Sequence, residues 1–338
     1  MKISELIIST ASEPEEADER EADGPELELR PLLFGPAQHG MRLDRALTEL
    51  VPEFSRSYLQ QLIELGGLTL NGKVCAKASA RIKATDVGSI ELRPTPQSQA
   101  FKPEAMTLDV VYEDEYILVI NKPVGLVVHP APGNWSGTLL NGLLALDADA
   151  QNLPRAGIVH RLDKDTSGLM VVARTRAAMD ALVRAIAKRE VARQYLALAH
   201  KPWAGRPQRE VRAPIGRDPR NRLRMAVVDL GVHPGKEAQT DILLLQNSAQ
   251  GCLVQCSLHS GRTHQIRVHM ASIGHPLVAD ELYGGVPAIG LQRQALHAFR
   301  LGFQHPVTQQ AMAFQIGLPD DLAQGLVRWG LSYNPANG

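Results

Sequence analysis

The 338-residue sequence has few aromatic residues, few cysteines and no long apolar run. Aromatic residues make up only 4% of the chain, so a tyrosine beside a charged motif carries more weight than usual. The three cysteines, Cys75, Cys252 and Cys256, lack the paired spacing of a zinc knuckle or a disulfide framework, which favours reduced thiols. No run of about 18 apolar residues predicts a membrane span. No signal peptide is visible either, so a cytoplasmic protein without membrane contact is expected.

Motifs for the common cofactors are also missing. The sequence contains no GxxxxGK[ST] phosphate loop, no GxGxxG after a strand and no GxSxG nucleophile elbow. No small-molecule cofactor is therefore predicted. A metal site would need histidines at i and i+4 on a helix or at i and i+2 on a strand. His264 and His269 are five apart, so no metal is predicted, and a metal-dependent hydrolase is kept only as a minor alternative.

The net charge of zero conceals a strong asymmetry along the chain. Residues 1–30 hold ten acids and three bases, so this segment carries −7 and residues 31–338 carry +7. Such an acidic segment with few large apolar residues is predicted to stay disordered, and the predicted tail extends over residues 1–38. The basic remainder is compatible with a polyanionic partner such as a nucleic acid.

A small basic module is predicted over residues 39–93. The segment MRLDRALTELV has one apolar helical face, and a second helix is predicted to begin at the N-cap Ser55 and to end at a Gly-Gly pair. LTLNGKVCAK then predicts a tight hairpin at Asn71-Gly72, and DVGSIELR predicts a closing strand. Two short helices followed by a hairpin, with bases on the surface, suit a phosphate-backbone contact.

This module resembles the S-four-type (alpha-L) RNA-binding domain in RLDRAL, SRSYLQQLI, GGLTLNGK and KASARIKATDVGSIEL, and in the order of these segments. Arg42, Arg45 and Arg56 are its candidate RNA-binding residues, although a solvated charged surface would look the same in the sequence. Residues 94–103, rich in proline and polar residues, are predicted to be a linker.

A larger domain of the α+β class, with a mixed and largely antiparallel sheet, is predicted over residues 104–335. A hairpin is predicted around the acidic turn at 113–115, and GIVH and LMVVA are predicted as short strands on either side of HRLDKDTSG. A helix is predicted between Thr175 and Glu190. QYLALAH and CLVQCSL return to strand patterns.

Charged residues at the start of a core strand make HRLDKDTSG the first candidate site. Its two carboxylates, Asp163 and Asp165, cannot be separated by spacing alone. In the predicted strand YLALA, Tyr195 shares its face with the small residues Ala197 and Ala199, which suits a surface for stacking a planar ligand. A tyrosine at a sheet edge with its hydroxyl in water explains this pattern equally well.

Two arginine-containing segments complete the set of candidates. SGRTHQIRVHM places Arg262 at a predicted turn, and RDPRNRLR is predicted to be a loop. Its four arginines favour phosphate contacts over intramolecular pairing. They are Arg217, Arg220, Arg222 and Arg224. A loop carboxylate, nearby arginines and an aromatic ring suit a reaction on a nucleobase or sugar, in which the carboxylate acts as nucleophile or base.

At this point AGIVHRLDKDTSGLMVVART resembles the signature of the RluA-type pseudouridine synthases. INKPVGLVVHP, RQYLALAHK, APIGRDPRNRLRMAV and SGRTHQIRVHMASIGHPLVADELYG follow the same family, in the family's order. The resemblance implies that Asp163 is the catalytic carboxylate, which attacks C1′ of the uridine or assists removal of the 2′ proton. It implies that Tyr195 stacks on the uracil, that Arg262 pairs with Asp163, and that Arg161 enters the gap left by the flipped nucleotide.

The resemblance also implies a substrate and the partners. It is closest to the enzymes that act on large-subunit ribosomal RNA, so the expected partner is 23S ribosomal RNA or a precursor of the large ribosomal subunit. Uridines in the helix 69 loop are the expected target. A monomer without cofactor or metal is expected. The alternative is a non-catalytic RNA-binding or ribosome-assembly factor on the same fold.

Overall fold

The computed structural model describes residues 28–52, 54–92, 98–131, 133–221 and 223–334. These residues form two compact units that divide between residues 97 and 98. No helix in these ranges combines the length and the hydropathy needed to cross a membrane.

The first unit contains two helices and an antiparallel sheet, as the sequence predicts. The elements are β1 (Glu28–Leu33), α1 (Leu43–Leu50), α2 (Arg56–Glu64), β2 (Leu68–Leu70), β3 (Lys73–Val74) and β4 (Val87–Leu92), and the strand order is β1-β4-β2-β3. Ser55 caps α2 by accepting a hydrogen bond from the Tyr58 amide at 3.3 Å. Asn71 and Gly72 both have positive φ, as the tight turn between β2 and β3 requires. The apolar faces of the two helices pack on the sheet to form the core of this unit.

The predicted acidic tail was placed too far along the chain. Residues 1–27 lie outside the described residues, but Glu28–Leu33 is a strand that pairs with β4 over its whole length. The side chains of Leu32 and Phe34 are buried in the core. The prediction of a disordered tail up to residue 38 is therefore wrong from residue 28 onward, because the charge of the whole segment outweighed the short apolar run at its end.

The second unit is built on a nine-stranded sheet in the order β5-β6-β7-β15-β8-β14-β13-β9, with β16 paired to β15. Its strands are β5 (Asp109–Glu113), β6 (Ile117–Lys122), β7 (Ser167–Ala173), β8 (Ala192–His200), β9 (Gln208–Arg212), β13 (Gln239–Asn247), β14 (Gly251–Leu258), β15 (Leu296–Gln304) and β16 (Ala311–Gln315). Every neighbouring pair is antiparallel except β7 with β15. The mixed, largely antiparallel α+β class is thus confirmed.

Four helices and a smaller sheet complete this unit. The helices are α3 (Leu139–Leu146), α4 (Arg176–Ala187), α5 (Gln265–Ser272) and α6 (Asp320–Arg328), and the small antiparallel sheet has the order β11 (Met225–Val227), β10 (Ile215–Arg217), β12 (Gly235–Lys236). Thr175 caps α4 through the Ala178 amide, as its position before the helical pattern indicates.

The segment GIVH is not a regular strand, so that prediction is wrong. Only Ile158 makes an isolated bridge, to Val172 of β7. Beside this bridge, a side chain takes the place of a main-chain hydrogen bond between strands. The Val171 amide donates to Nε2 of His160 at 3.1 Å. The hairpin around the acidic turn and the strand LMVVA, which lies in β7, are both confirmed.

Candidate active site

The segment from Asp163 to Gly168 forms a tight loop that runs into β7. The Thr166 amide donates to the Asp163 carbonyl at 3.1 Å, which closes a turn. Gly168 has a φ of +119°, and a Cβ at this position would lie 2.2 Å from the carbonyl oxygen of Ala298 in β15. Only glycine allows this approach, so the glycine of the motif lets β7 and β15 pair directly behind the loop.

Buried cations hold the backbone of this loop. Lys122 is fully buried, and its ammonium donates to the Lys164 carbonyl at 2.9 Å and to the carbonyls of Pro123 and Leu126. Arg293 donates to the Asp165 carbonyl at 3.1 Å. Burial lowers the pKa of Lys122 to about 8. Because both cations bind main-chain oxygens, the loop is fixed without occupying the Asp163 carboxylate.

The Asp163 carboxylate forms an ion pair with Arg267, a residue of α5. Nη1 of Arg267 lies 3.1 Å from Oδ2 of Asp163, while its Nε and Nη2 bind the two oxygens of Asp280 at 2.7 and 2.8 Å. Burial opposes the charge on Arg267, yet the contacts with Asp280 and Asp163 raise its pKa above the ordinary value. The guanidinium also lies over the ring of Tyr283, 4.9 Å from the centroid. Arg267 is therefore a permanently charged group with a fixed position.

The predicted pairing of Arg262 with Asp163 is wrong. Arg262 and Asp163 line one cavity, but Nε of Arg262 donates to the carbonyl of Glu237 at 3.0 Å. Its own amide donates to Oε1 of Gln265, at the residue where α5 begins. Arg262 thus precedes the helix, and Arg267 on the helix has the position from which Asp163 can be reached. The sequence motif contains both arginines, and nothing in it fixes where the helix starts.

Tyr195 lies in β8, which has β15 on one side and β14 on the other. It packs in one cluster with Ala197 and Ala199, while Leu196 and Leu198 belong to a different cluster, as the predicted alternation requires. The side chain is 5% exposed, which excludes a tyrosine at a sheet edge. Burial raises the pKa of Tyr195 to about 12, so its hydroxyl keeps its proton at neutral pH.

Asp163 and Tyr195 line one cavity of about 420 Å³, a size that holds a small ligand or a nucleotide. Among the described lining residues Asp163 is the single carboxylate, and six arginines accompany it: Arg155, Arg161, Arg189, Arg193, Arg262 and Arg267. The predicted site residue Arg161 is exposed and borders the cavity. The arginines suit the binding of a polyanionic substrate, and the single carboxylate is available to contact the reacting atoms of that substrate.

Neutral histidines also contribute to this region. Burial lowers the pKa of His160 to about 3 and that of His129 to about 4, in both cases with help from nearby arginines. His264 has a left-handed backbone at the start of α5, and its Nδ1 lies 2.7 Å from the hydroxyl of Tyr283. The arginines therefore supply positive charge to the cavity, and His129 and His160 do not at neutral pH.

The alternative of a metal-dependent hydrolase relies on histidines such as His264 and His269. Both ring nitrogens of His269 are engaged, Nδ1 with the Thr240 hydroxyl at 2.8 Å and Nε2 with the Ala213 carbonyl at 2.9 Å. Within the described ranges no group of three or more His, Cys, Asp or Glu side chains could hold a metal ion.

The neutral histidines make the folded protein sensitive to acid. Burial lowers the pKa of His160 to about 3 and that of His297 to about 4. In the unfolded chain the pKa of a histidine is about 6.5. Between these values the unfolded chain binds more protons, so stability falls as the pH drops below 6.5. Each histidine is expected to contribute up to about 1.4 kcal/mol per pH unit. Urea unfolding at pH 7.5 and 5.0 measures this loss, and equal stability at both values would contradict it.

The arginine-rich loop is only partly as predicted. Arg217 ends β10 and Arg220 lies in the following turn, both exposed, while Arg222 lies outside the described residues. Arg224 instead forms an ion pair with the buried carboxylate of Asp218. The expectation that these arginines avoid intramolecular pairing is wrong for Arg224, because Asp218, the single acid of the loop, is buried and takes Arg224 as its partner.

Two of the three candidate arginines of the first unit also form intramolecular ion pairs. Arg42 and Arg56 both bind Asp44, which is fully buried, at 3.1 and 2.9 Å. These contacts hold the pKa of Asp44 well below its ordinary range, with a further hydrogen bond from Gln60. Arg42 and Arg56 remain about half exposed, and Arg45 is exposed as well. The carboxylate thus holds two guanidinium groups side by side at the surface.

With this geometry in view, the comparisons with known proteins define the class of protein. The family model described as RNA pseudouridylate synthase matches residues 116–272, and the model of the S4 domain matches residues 41–87. The solved structure named human RNA pseudouridylate synthase domain containing 1 shares 27% identity and a TM-score of 0.50, covering 64% of this chain and 86% of its own. A second human structure, domain containing 4, is 23% identical with a TM-score of 0.54 and shares the fold. The S4 match identifies the first unit as an RNA-binding domain.

The curated relatives extend over both units. The ribosomal large subunit pseudouridine synthase D of Neisseria meningitidis is 46% identical over 297 residues, covering 84% of this chain and 77% of the relative. The proteins of the same name from Nitrosomonas europaea and Escherichia coli are 45% and 42% identical, covering 84% and 85% of this chain and 83% and 90% of their own. This chain belongs to the RNA pseudouridylate synthase family and is an RNA pseudouridine synthase.

Proposed function

We propose that this enzyme converts specific uridines of 23S ribosomal RNA to pseudouridine, with Asp163 as the catalytic carboxylate. The observation that carries the proposal is the partly buried ion pair of Asp163 with Arg267 in a cationic cavity that Tyr195 also lines. The names of the curated relatives and the S4 domain support ribosomal RNA of the large subunit as the substrate. We propose the loop of helix 69 as the target.

The reaction is an isomerisation, so its atoms balance without a second reactant. The N1–C1′ bond of the uridine breaks, the uracil turns, and C5 forms the new bond to C1′. The proton on C5 is lost and N1 gains one. Asp163 either attacks C1′ and forms a transient ester, or removes the 2′ proton, and the same carboxylate serves both routes. Arg267 orients this carboxylate through the hydrogen bond that its Nη1 donates.

Two other residues have defined roles in this proposal. Tyr195 supplies a buried ring on which the uracil stacks. Arg161, exposed at the border of the cavity, fills the gap left when the uridine leaves its stack. The catalytic groups all come from the chain, so we propose a monomer that works in the cytoplasm without cofactor or metal. Arg262 and the surface arginines of both units bind the RNA backbone.

The test is a deletion strain whose large-subunit RNA is scanned for pseudouridine by carbodiimide adducts and primer extension. We expect stops to disappear at a few uridines, in the helix 69 loop if the proposed target is right, and to return when the wild-type gene is restored. Loss of stops at another place in 23S RNA would reassign the target. An unchanged pattern in all ribosomal RNA would contradict the proposed substrate.

A further inference from the structure

Arg193 is a buried cation that the reaction described above does not use. It lies in β8 two residues before Tyr195, so the two side chains project from the same face of the strand. The residue is 6% exposed, and it lines the cavity that contains Asp163. It therefore borders the space in which the uridine is proposed to bind.

Unlike the other buried arginines of this unit, Arg193 has no partner within the described residues. Among the residues that the structure describes, its Nε is buried without a hydrogen bond and its side chain takes part in no ion pair. Arg293 is buried to a similar degree, at 8% exposed, yet it binds the Asp321 carboxylate and three carbonyl groups. A buried charge without a partner destabilises the protein, so its retention points to a ligand.

The surroundings of Arg193 are open on the side of Gly261. A Cβ at Gly261 would lie 2.9 Å from Nη1 of Arg193, so the missing side chain leaves room for the guanidinium. His129 and His160 also line this cavity, and each has a buried ring nitrogen without a hydrogen-bond partner among the described residues, Nε2 of His129 and Nδ1 of His160. Because both imidazoles are neutral, they add hydrogen-bonding capacity without adding charge.

We infer that Arg193 binds a phosphate group of the RNA backbone next to the target uridine, while Tyr195 stacks on the base. The inference rests on the proposed function. A phosphate supplies both the negative charge and the paired oxygen acceptors that a buried guanidinium lacks, whereas a uracil carbonyl supplies no charge. Binding the backbone beside the flipped nucleotide fixes the C1′ atom relative to Asp163.

The first test uses the free protein. Removing an unpartnered buried charge is expected to stabilise it, so Arg193→Met should raise Tm by about 2 °C or more. The matched control is Arg293→Met, which removes a similarly buried but fully partnered guanidinium and should lower Tm. If Arg193→Met lowers Tm as Arg293→Met does, or fails to fold, Arg193 is structural and the inference is overturned.

The second test identifies the ligand. Once the modified uridine is mapped, RNA fragments are ligated with one neutral methylphosphonate at the phosphate 5′ or 3′ to it. For the wild-type enzyme, one of the two replacements should lower kcat/KM about 10- to 100-fold. For Arg193→Met, which is already slow by a similar factor, the same replacement should change kcat/KM less than about threefold. Gly261→Ala, which displaces the guanidinium without removing it, should give an intermediate loss.

Two results would overturn the inference. One is an equal loss on methylphosphonate RNA in the wild type and in Arg193→Met, because independent effects mean different contacts. The other is a slow Arg193→Met variant combined with a wild-type enzyme that tolerates both methylphosphonates, which would place Arg193 on the base. A wild-type enzyme that modifies no ribosomal RNA would count against the proposed function instead, so the two failures are distinguishable.

Discussion

Replacing Asp163 with asparagine is expected to lower pseudouridine formation by on the order of 10⁴-fold or more, while RNA affinity and folding remain close to wild type. Asparagine has the size of aspartate and keeps an oxygen that can accept the hydrogen bond from Nη1 of Arg267. It lacks the negative charge needed either to attack C1′ or to take the 2′ proton. Single-turnover kinetics on RNA from the deletion strain, together with a binding measurement, separate the two effects.

Asp165→Asn is the matched control for this prediction. Asp165 is two residues away on the same loop, but it contributes its main-chain carbonyl, which binds Arg293, and its side chain does not line the cavity. We therefore expect activity within about threefold of wild type. An inactive Asp165→Asn beside an active Asp163→Asn would reverse the assignment of the two carboxylates.

Replacing Arg267 with methionine is expected to lower both stability and activity. The side chain of Asp280 is 1% exposed and would lose its only counter-charge among the described residues. Removing one partner of such a buried pair costs about 3–5 kcal/mol. Asp163 would lose the hydrogen bond that orients its carboxylate at the same time, so kcat should fall at least about 100-fold. Urea unfolding and single-turnover kinetics measure the two losses.

A double variant separates the two roles of Arg267. Adding Asp280→Asn to Arg267→Met removes the unpaired charge, so we expect recovery of at least about half of the lost stability and no recovery of activity. Arg262→Met is the control on the other arginine of the motif, which binds the Glu237 carbonyl and not Asp163. It should cost about 1 kcal/mol or less. Recovery of activity in the double variant would contradict a direct effect of Arg267 on Asp163.

The local elements of the fold could be predicted from the sequence because their signals are local. The caps Ser55 and Thr175 accept the expected amide hydrogen bonds, and the alternation around Tyr195 places it with the small residues. Strand β1 was missed because its stability comes from pairing with β4, about 60 residues away, and not from its own pattern. GIVH failed for a related reason, since the His160 side chain replaces the strand ladder.

The residues of the candidate site likewise include some that the sequence predicts and others that it does not. Asp163 and Tyr195 lie in segments that resemble the motifs of the RluA-type pseudouridine synthases, and both residues line the cavity. Arg267 was missed because choosing between the two arginines of SGRTHQIRVHM requires the start of α5, which depends on the left-handed conformation of His264. Histidine adopts a positive φ more often than most residues, but the sequence does not show at which histidine this happens. That Arg193 has no partner among the described residues is equally invisible in the sequence, because partners come from distant segments.

The most direct test of the central claim is the pseudouridine content of large-subunit RNA taken from the deletion strain and incubated with purified protein. The wild-type enzyme should restore the missing pseudouridines to one per mapped site without added cofactor or metal, and Asp163→Asn should restore none although it binds the same RNA. Restoration by Asp163→Asn at a rate near that of the wild type would contradict a mechanism that depends on this carboxylate.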